Sequence, residues 1–176
     1  LFCIVATMFW GFTDMWDPAM ETLGLMAVSV FLSVVLGVLI GVVASQSNAV
    51  ESIVRPILDT MQTMPAFVYL IPAVFLFGIG GPCAILATVI YALPPAVRLT
   101  NLGIRQVPPE TVEAAASFGS TRLQILLKVK LPLSLPSIMM GVNQTTMMAL
   151  GMVVLAVFIG ATGLGKEVWQ ALRHLD

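Results

Sequence analysis

Residues 104–132 read IRQVPPETVEAAASFGSTRLQILLKVKLP, and this stretch decides what the chain can be. It is the one long segment too charged to lie in lipid, set among segments that are nearly all apolar. Of the eight basic residues, Arg98 stands at its entrance, and Arg105, Arg122, Lys128 and Lys130 lie within it. Val107-Pro108-Pro109-Glu110 has the form of a helix start. Proline suits the first helical turn, and Glu110 and Glu113 suit the positive end of the helix dipole. Gly119 predicts the stop of that helix. Ser120 or Thr121 then predicts the cap of a second helix running to Leu131-Pro132. A compact, charged helical hairpin on an apolar chain is expected to dock a soluble partner.

Working outward, the chain is 59% apolar and only 10% charged, with a mean hydropathy of +1.00. A soluble domain carries about 25% charged residues. The expected fold class is therefore all-α, a polytopic helix bundle in the lipid bilayer. At about 20 residues per span, the length allows about five spans. A net charge of −1 gives no sign of nucleic-acid binding. Cys3 and Cys83 are too few for a metal site or a disulfide framework, and both read as small apolar fillers.

Leu23–Ala44 is the clearest span, about 33 Å long as a helix. Gly24, Ser29, Ser33, Gly37 and Gly41 recur along it and predict close helix packing. Leu1–Phe12 reads as the end of a truncated span, with residues 1–20 forming its tail and an external loop. Trp10 and Trp16 fit an interfacial aromatic belt. Ser45–Thr60 reads as a polar loop whose short helix ends before or kinks near Pro56. Met61–Gly80 is expected to span, kinked by Pro65 and Pro72, with residues 78–82 as a hard stop. Cys83–Val97 is expected to return, with Pro94-Pro95 near its exit. Ser137–Gly160 is expected to be the last complete span, interrupted by Asn143-Gln144-Thr145-Thr146. Gly160–Gly165 should break the helix before an amphipathic Lys166–Asp176. The lone His174 is not a metal site.

Charge sets the expected sidedness. The basic hairpin and Ser45–Thr60 should be cytoplasmic, and Thr13–Met20, Gly80–Pro82 and Gly163–Asp176 external. Gln62, Pro65, Tyr69, Asn143 and Gln144 are the candidates for a polar translocation path, with interhelical hydrogen bonding and packing kinks as the competing explanation. No catalytic constellation is visible, so no enzyme is expected. Gly163-Leu164-Gly165-Lys166 is followed by Glu167 rather than Ser or Thr, so it is no phosphate loop. The complete spans contain no Asp, Glu, Lys or Arg. Ion-driven carriers usually need such groups or unwound helices at mid-membrane, so any energy source should lie on another chain.

The hairpin resembles the EAA motif of ABC-importer permeases. Glu113-Ala114-Ala115 is followed after three residues by Gly119, then after nine by Val129, then by Leu131-Pro132; Val129 in place of Ile is the only departure. The stretch from Asp59 to Pro72, Leu76–Gly80, Ala92–Pro95 and Gly141–Thr145 is similar to the membrane subunit of glycine betaine/proline betaine importers, the ProW type. The likeness runs from about Leu23 to the end of the chain. It implies a type I ABC importer (MetI-like) transmembrane domain over residues 21–176, its last span missing. It implies a coupling helix in the 104–132 loop seated on a cytoplasmic ATPase, with Glu113, Ala114, Ala115, Gly119, Leu131 and Pro132 as the coupling residues. Implied partners are ABC ATPase subunits, a substrate-binding protein and a second copy of the permease, in the inner membrane. ATP and magnesium would sit on the ATPase, leaving no cofactor here. Choline, carnitine, proline or a sulfonium osmolyte is an alternative cargo on the same architecture. A self-sufficient carrier or channel, or a regulatory membrane subunit, is the alternative in kind.

Overall fold

The computed structural model describes Gly11 and residues 15–173. The expected span at Leu1–Phe12, with Trp10, and His174 at the other end lie outside the described residues. Among those described, every regular element is helical. In chain order they are α1 (Trp16–Gln46), α2 (Asn48–Thr63), a 3₁₀ turn (Ala66–Tyr69), α3 (Leu70–Phe77), α4 (Gly81–Arg105), α5 (Pro109–Ser117) and α6 (Arg122–Ile125). A π segment (Leu126–Lys130), α7 (Leu131–Leu155), a second 3₁₀ turn (Ala156–Ile159) and α8 (Leu164–Arg173) follow. Three helical stretches are long and apolar enough to cross a membrane: Trp16–Gln46, Gly81–Arg105 and Arg122–Ile159. A fourth counts only if α2 and Ala66–Phe77, bent by 113°, are taken as one.

The chain divides into two compact units. One comprises Leu1–Phe31, Met64–Tyr91 and Met148–Asp176; the other comprises Leu32–Thr63 and Ala92–Met147.

The first unit has an apolar core of Tyr69, Leu70, Ala73, Cys83, Ala84, Ala87, Met152, Ala156, Ile159 and Ala161. Cys83 is fully buried in it, as a small apolar filler should be. Its chain turns are tied together by polar contacts. The Thr22 hydroxyl donates to the Pro18 carbonyl (2.8 Å) and accepts from the Leu164 amide (2.9 Å). The Gly80 amide donates to the Ile159 carbonyl at 3.1 Å. The three segments expected on one side of the membrane, near residues 13–20, 80–82 and 163–173, are thus joined at one end of this unit. Gly160 and Gly163 adopt positive φ (74° and 112°), which breaks the last span before the amphipathic α8.

The second unit is packed by close approach of helices. A Cβ on Gly37 would fall 2.5 Å from the Ala96 side chain, one on Gly41 2.7 Å from the Val97 carbonyl oxygen, and one on Gly103 2.6 Å from Ser137. Small residues on α1, α4 and α7 thus let the backbones nearly touch. Ser29, on the part of α1 that belongs to the first unit, is buried and donates to the Leu25 carbonyl.

Four expectations change. Ser45–Thr60 is not a loop: only Ser47 separates α1 from α2, and α2 runs through Pro56. The missing Pro56 amide costs one bond, to the exposed Ser52, while Leu58 is buried and holds the helix in place. Met61–Gly80 is not one kinked span. Pro65 stands in extended backbone (φ −58°, ψ 140°), its ring steers the preceding Met64 away from helical geometry, and the chain turns there. The helical stretch after it, Ala66–Phe77, would reach about 18 Å, short of a bilayer. The expected return at Cys83–Val97 lies within a longer helix, α4, which runs through Pro94-Pro95 to Arg105; both prolines are buried in tertiary packing that holds the helix. The second hairpin helix does not end at Leu131-Pro132. It passes through the π segment, where the Leu131 amide reaches back to the Leu126 carbonyl, and runs on as α7. A π segment beside Pro132 redistributes the backbone bonds that proline cannot make.

Candidate functional site

Two features of the second unit converge on the 104–132 stretch: the hairpin itself and the polar clamp at its root. α5 begins at Pro109 with Pro108 as its cap, and carries Glu110 in its first turn. It ends in a Schellman arrangement. The Gly119 amide donates to the Ala116 carbonyl (2.9 Å) and the Ser120 amide to the Ala115 carbonyl (3.2 Å). Gly119 has φ +78°, which only glycine adopts without strain. Thr121 then opens α6 with a reciprocal capping box. Its hydroxyl accepts from the Gln124 amide (3.3 Å), and the Gln124 side chain accepts from the Thr121 amide (2.8 Å). α5 packs back against α6 and the π segment. The stop, turn and cap expected from sequence thus fall where they were read.

The hairpin presents an unusual surface. Phe118, beside the turn, is 91% exposed, the most exposed of the large apolar side chains described. Leu123 and Leu127 are also exposed. Glu113, Ala114 and Gly119 are exposed, Ala115 and Leu131 half-buried, and Pro132 exposed. An exposed apolar tip on a hairpin that also carries Glu110, Glu113, Arg122 and Lys128 is unlike a lipid-facing surface, which would carry no such charges, and unlike a solvated loop, which would not hold out a phenyl ring.

At the root of the hairpin, Arg105 closes a clamp. Its Nε donates to Asn101 Oδ1 (3.0 Å), Nη1 to Asn48 Oδ1 (2.8 Å) and Nη2 to the Ala44 carbonyl (3.1 Å). Nη2 also pairs with Glu51 Oε2 at 3.1 Å. Asn101 Nδ2 donates to Glu51 Oε1 (3.2 Å), which completes the ring. Further along the same two helices, Arg98 pairs with Asp59, both side chains about half exposed. Such an exposed pair contributes about 0–1 kcal/mol. A cavity of about 300 Å³ opens between α2 and α4, with Glu51, Arg55, Arg98 and Asn101 as its polar lining.

The five residues expected along a translocation path are divided. Gln62, Asn143 and Gln144 belong to the second unit and are exposed; Pro65 and Tyr69 belong to the first. Tyr69 is buried in the first unit's core, its ring edge-on to Tyr91 with centroids 5.6 Å apart. Next to Asn143 and Gln144, Thr145 is fully buried and its hydroxyl has no partner. The clamp escaped sequence reasoning because residues 45–60 read as a loop. As a helix, Glu51, Arg55 and Asp59 fall at i, i+4 and i+8 on one face, and Asn101 and Arg105 pair at i, i+4 on α4.

Residues 33–176 match the family described as binding-protein-dependent transport system inner membrane component. The chain is 51% identical over 175 residues to the glycine betaine transport system permease protein OpuAB of Bacillus subtilis, covering 99% of this chain and 62% of the relative. It is 55% identical over 163 residues to the glycine betaine/carnitine transport permease protein GbuB of Listeria monocytogenes, covering 93% and 58%. The chain therefore spans about three fifths of the length of these relatives. Among solved structures, an inward-facing MetNI methionine ABC transporter superposes with a TM-score of 0.80 at 26% identity, over 89% of this chain and 79% of that one. The all-α bundle is thus the MetI-like fold of ABC-transporter permeases.

Proposed function

The chain belongs to the family of binding-protein-dependent transport system inner membrane components, and on that premise we propose that it is the membrane-spanning permease part of an ATP-driven importer of glycine betaine-type solutes. The observation that carries this reading is the hairpin: two short helices turned by Gly119, with Phe118 held out to water at its tip. In this reading the hairpin faces the cytoplasm and seats on an ABC ATPase subunit. Glu113, Ala114, Ala115 and Gly119 form the seat, and Leu131-Pro132 leads the motion into the spans. ATP and magnesium are held by that ATPase and not by this chain, which carries transport without a hydrolytic site of its own. A second copy of the permease completes the pore, and an external binding protein delivers the solute. Gln62, Pro65, Tyr69, Asn143 and Gln144 remain the proposed path residues.

The cargo follows from the relatives' names, both of which specify glycine betaine. GbuB is named for carnitine as well, which makes a second quaternary ammonium solute the first alternative.

The test is uptake by the full-length permease, reconstituted with its ATPase and binding protein. ATP-dependent uptake of labelled glycine betaine is expected, and none from the permease alone. Glu113→Lys replaces the exposed carboxylate on α5 with a cation. It is expected to lower both ATPase co-purification and uptake by at least about 10-fold, a loss of about 1.4 kcal/mol at the seat. Unchanged ATPase association with this variant would remove the docking assignment, and uptake without ATP would remove the importer reading.

A further inference from the structure

We propose that Arg105 is a positioning residue that makes the corner between α1 and α2 move together with the hairpin. The inference rests on the docking role of the hairpin and names a part that this role requires. A seat that moves does nothing unless its motion reaches the spans, and covalent continuity carries it only into α4 and α7. α1 has no chain connection to the hairpin except through α2, the bend at Pro65 and α4.

The clamp supplies the missing link. Arg105 is the last residue of α4, and only Gln106 and Val107 separate it from Pro108 at the head of α5. Val107 is buried, so this connection is packed rather than slack. Every nitrogen of the guanidinium is engaged, and its partners come from three places: Ala44 in the last turn of α1, Asn48 and Glu51 in the first turn of α2, and Asn101 on α4. The Ala44 carbonyl belongs to a helix end, where such groups lack intrahelical partners and where a cation is favoured. Asn101 holds both Arg105 and Glu51 and so fixes the plane of the fork. The two charged side chains are about 30% exposed, less than those of Arg98 and Asp59. Lysine could keep the charge but not the geometry, since a single ammonium cannot span acceptors set around a planar fork.

The test uses the full-length permease assembled with its ATPase and binding protein, with Arg105→Lys, Arg105→Ala and Glu51→Gln. ATPase association and ATP hydrolysis are expected to persist in all three. Hydrogen exchange of the α2 amides is expected to quicken several-fold. Solute taken up per ATP hydrolysed is expected to fall at least 10-fold in Arg105→Ala and several-fold in Arg105→Lys and Glu51→Gln. Uptake per ATP within twofold of the unsubstituted complex in Arg105→Lys and Glu51→Gln would overturn the proposal even if exchange quickens, because the clamp would then be structural only. Those two variants decide the matter on the same criterion if Arg105→Ala does not assemble. Failure of the docking reading looks different: there Glu113→Lys leaves the ATPase bound. The clamp fails alone if Glu113→Lys releases the ATPase while the Arg105 and Glu51 variants keep the normal coupling ratio.

Discussion

Gly119→Val is expected to abolish ATP-driven uptake while leaving the bundle folded. Gly119 sits at φ +78°. A residue with a Cβ loses roughly 1–2 kcal/mol in that conformation, and a β-branched one is a rare outlier there. No neighbour lies within 4 Å of the position a Cβ would take, so the cost is conformational and not steric. The cheapest relief is to leave the left-handed region, which breaks the two bonds from the Gly119 and Ser120 amides that end α5. Each such bond is worth about 1 kcal/mol. The angle between α5 and α6 is then lost, and with it the placement of Phe118 and Glu113. A loss near 3 kcal/mol at the seat corresponds to about 100-fold weaker ATPase association. The spans pack through other residues, so expression and detergent stability should stay normal. Gly119→Asn, which tolerates this conformation better, should retain part of the activity.

Gly41→Val has the opposite signature: loss of the folded bundle, and of function only as a consequence. A Cβ at this position would lie 2.7 Å from the Val97 carbonyl oxygen and 2.7 Å from the Thr100 Cβ. Backbone oxygen cannot rotate aside, so α1 and α4 must part. Overpacking typically costs about 1–3 kcal/mol even where side chains can adjust, and each kcal/mol lowers the melting temperature by about 2–4 °C in a chain of this size. Because the obstacle here is backbone, the upper end applies: the apparent melting temperature of the purified protein is expected to fall by roughly 6–12 °C, or the protein to be lost on extraction. Gly24, on the same helix, has nothing within 4 Å, and Gly24→Val should leave the melting temperature within about 2 °C of the parent.

These two glycines show how far the sequence could be read. Gly119 was legible because everything that defines it is local. The proline start, acidic first turn, glycine stop and Thr-x-x-Gln cap all lie within a few residues, and the helical hairpin follows from them. The small-residue stripe on α1 announced close packing, but the partner of Gly41 is set by tertiary contact. The errors share one cause. Read locally, Pro56 marks an end or kink, Pro132 the end of the second hairpin helix, and Pro94-Pro95 the neighbourhood of a span's exit. In each place, packing or a π segment carries the helix on. Pro65 does turn the chain, by more than a kink: the helices on either side of it are bent by 113°. Once residues 45–60 were taken as a loop, Glu51 and Asn48 had no face, and Arg105 could be counted only as loop charge. Phe118 was passed over because a single apolar residue in a polar loop carries no periodic signal; only its exposure marks it.

The central claim is that the hairpin tip meets the ATPase, and site-directed cross-linking tests it most directly. In the full-length permease with its own cysteines, Cys3 and Cys83 among them, replaced by alanine, Phe118→Cys is labelled with a thiol-reactive photo-cross-linker, and the assembled complex is irradiated so that the photo-group inserts into C–H bonds of whatever chain lies against it. Phe75→Cys serves as the control, being nearly as exposed (86%) but part of the first unit. The account predicts a covalent permease–ATPase product from Phe118→Cys and none from Phe75→Cys. An intact complex that yields no product from Phe118→Cys, or yields equal product from both, contradicts it.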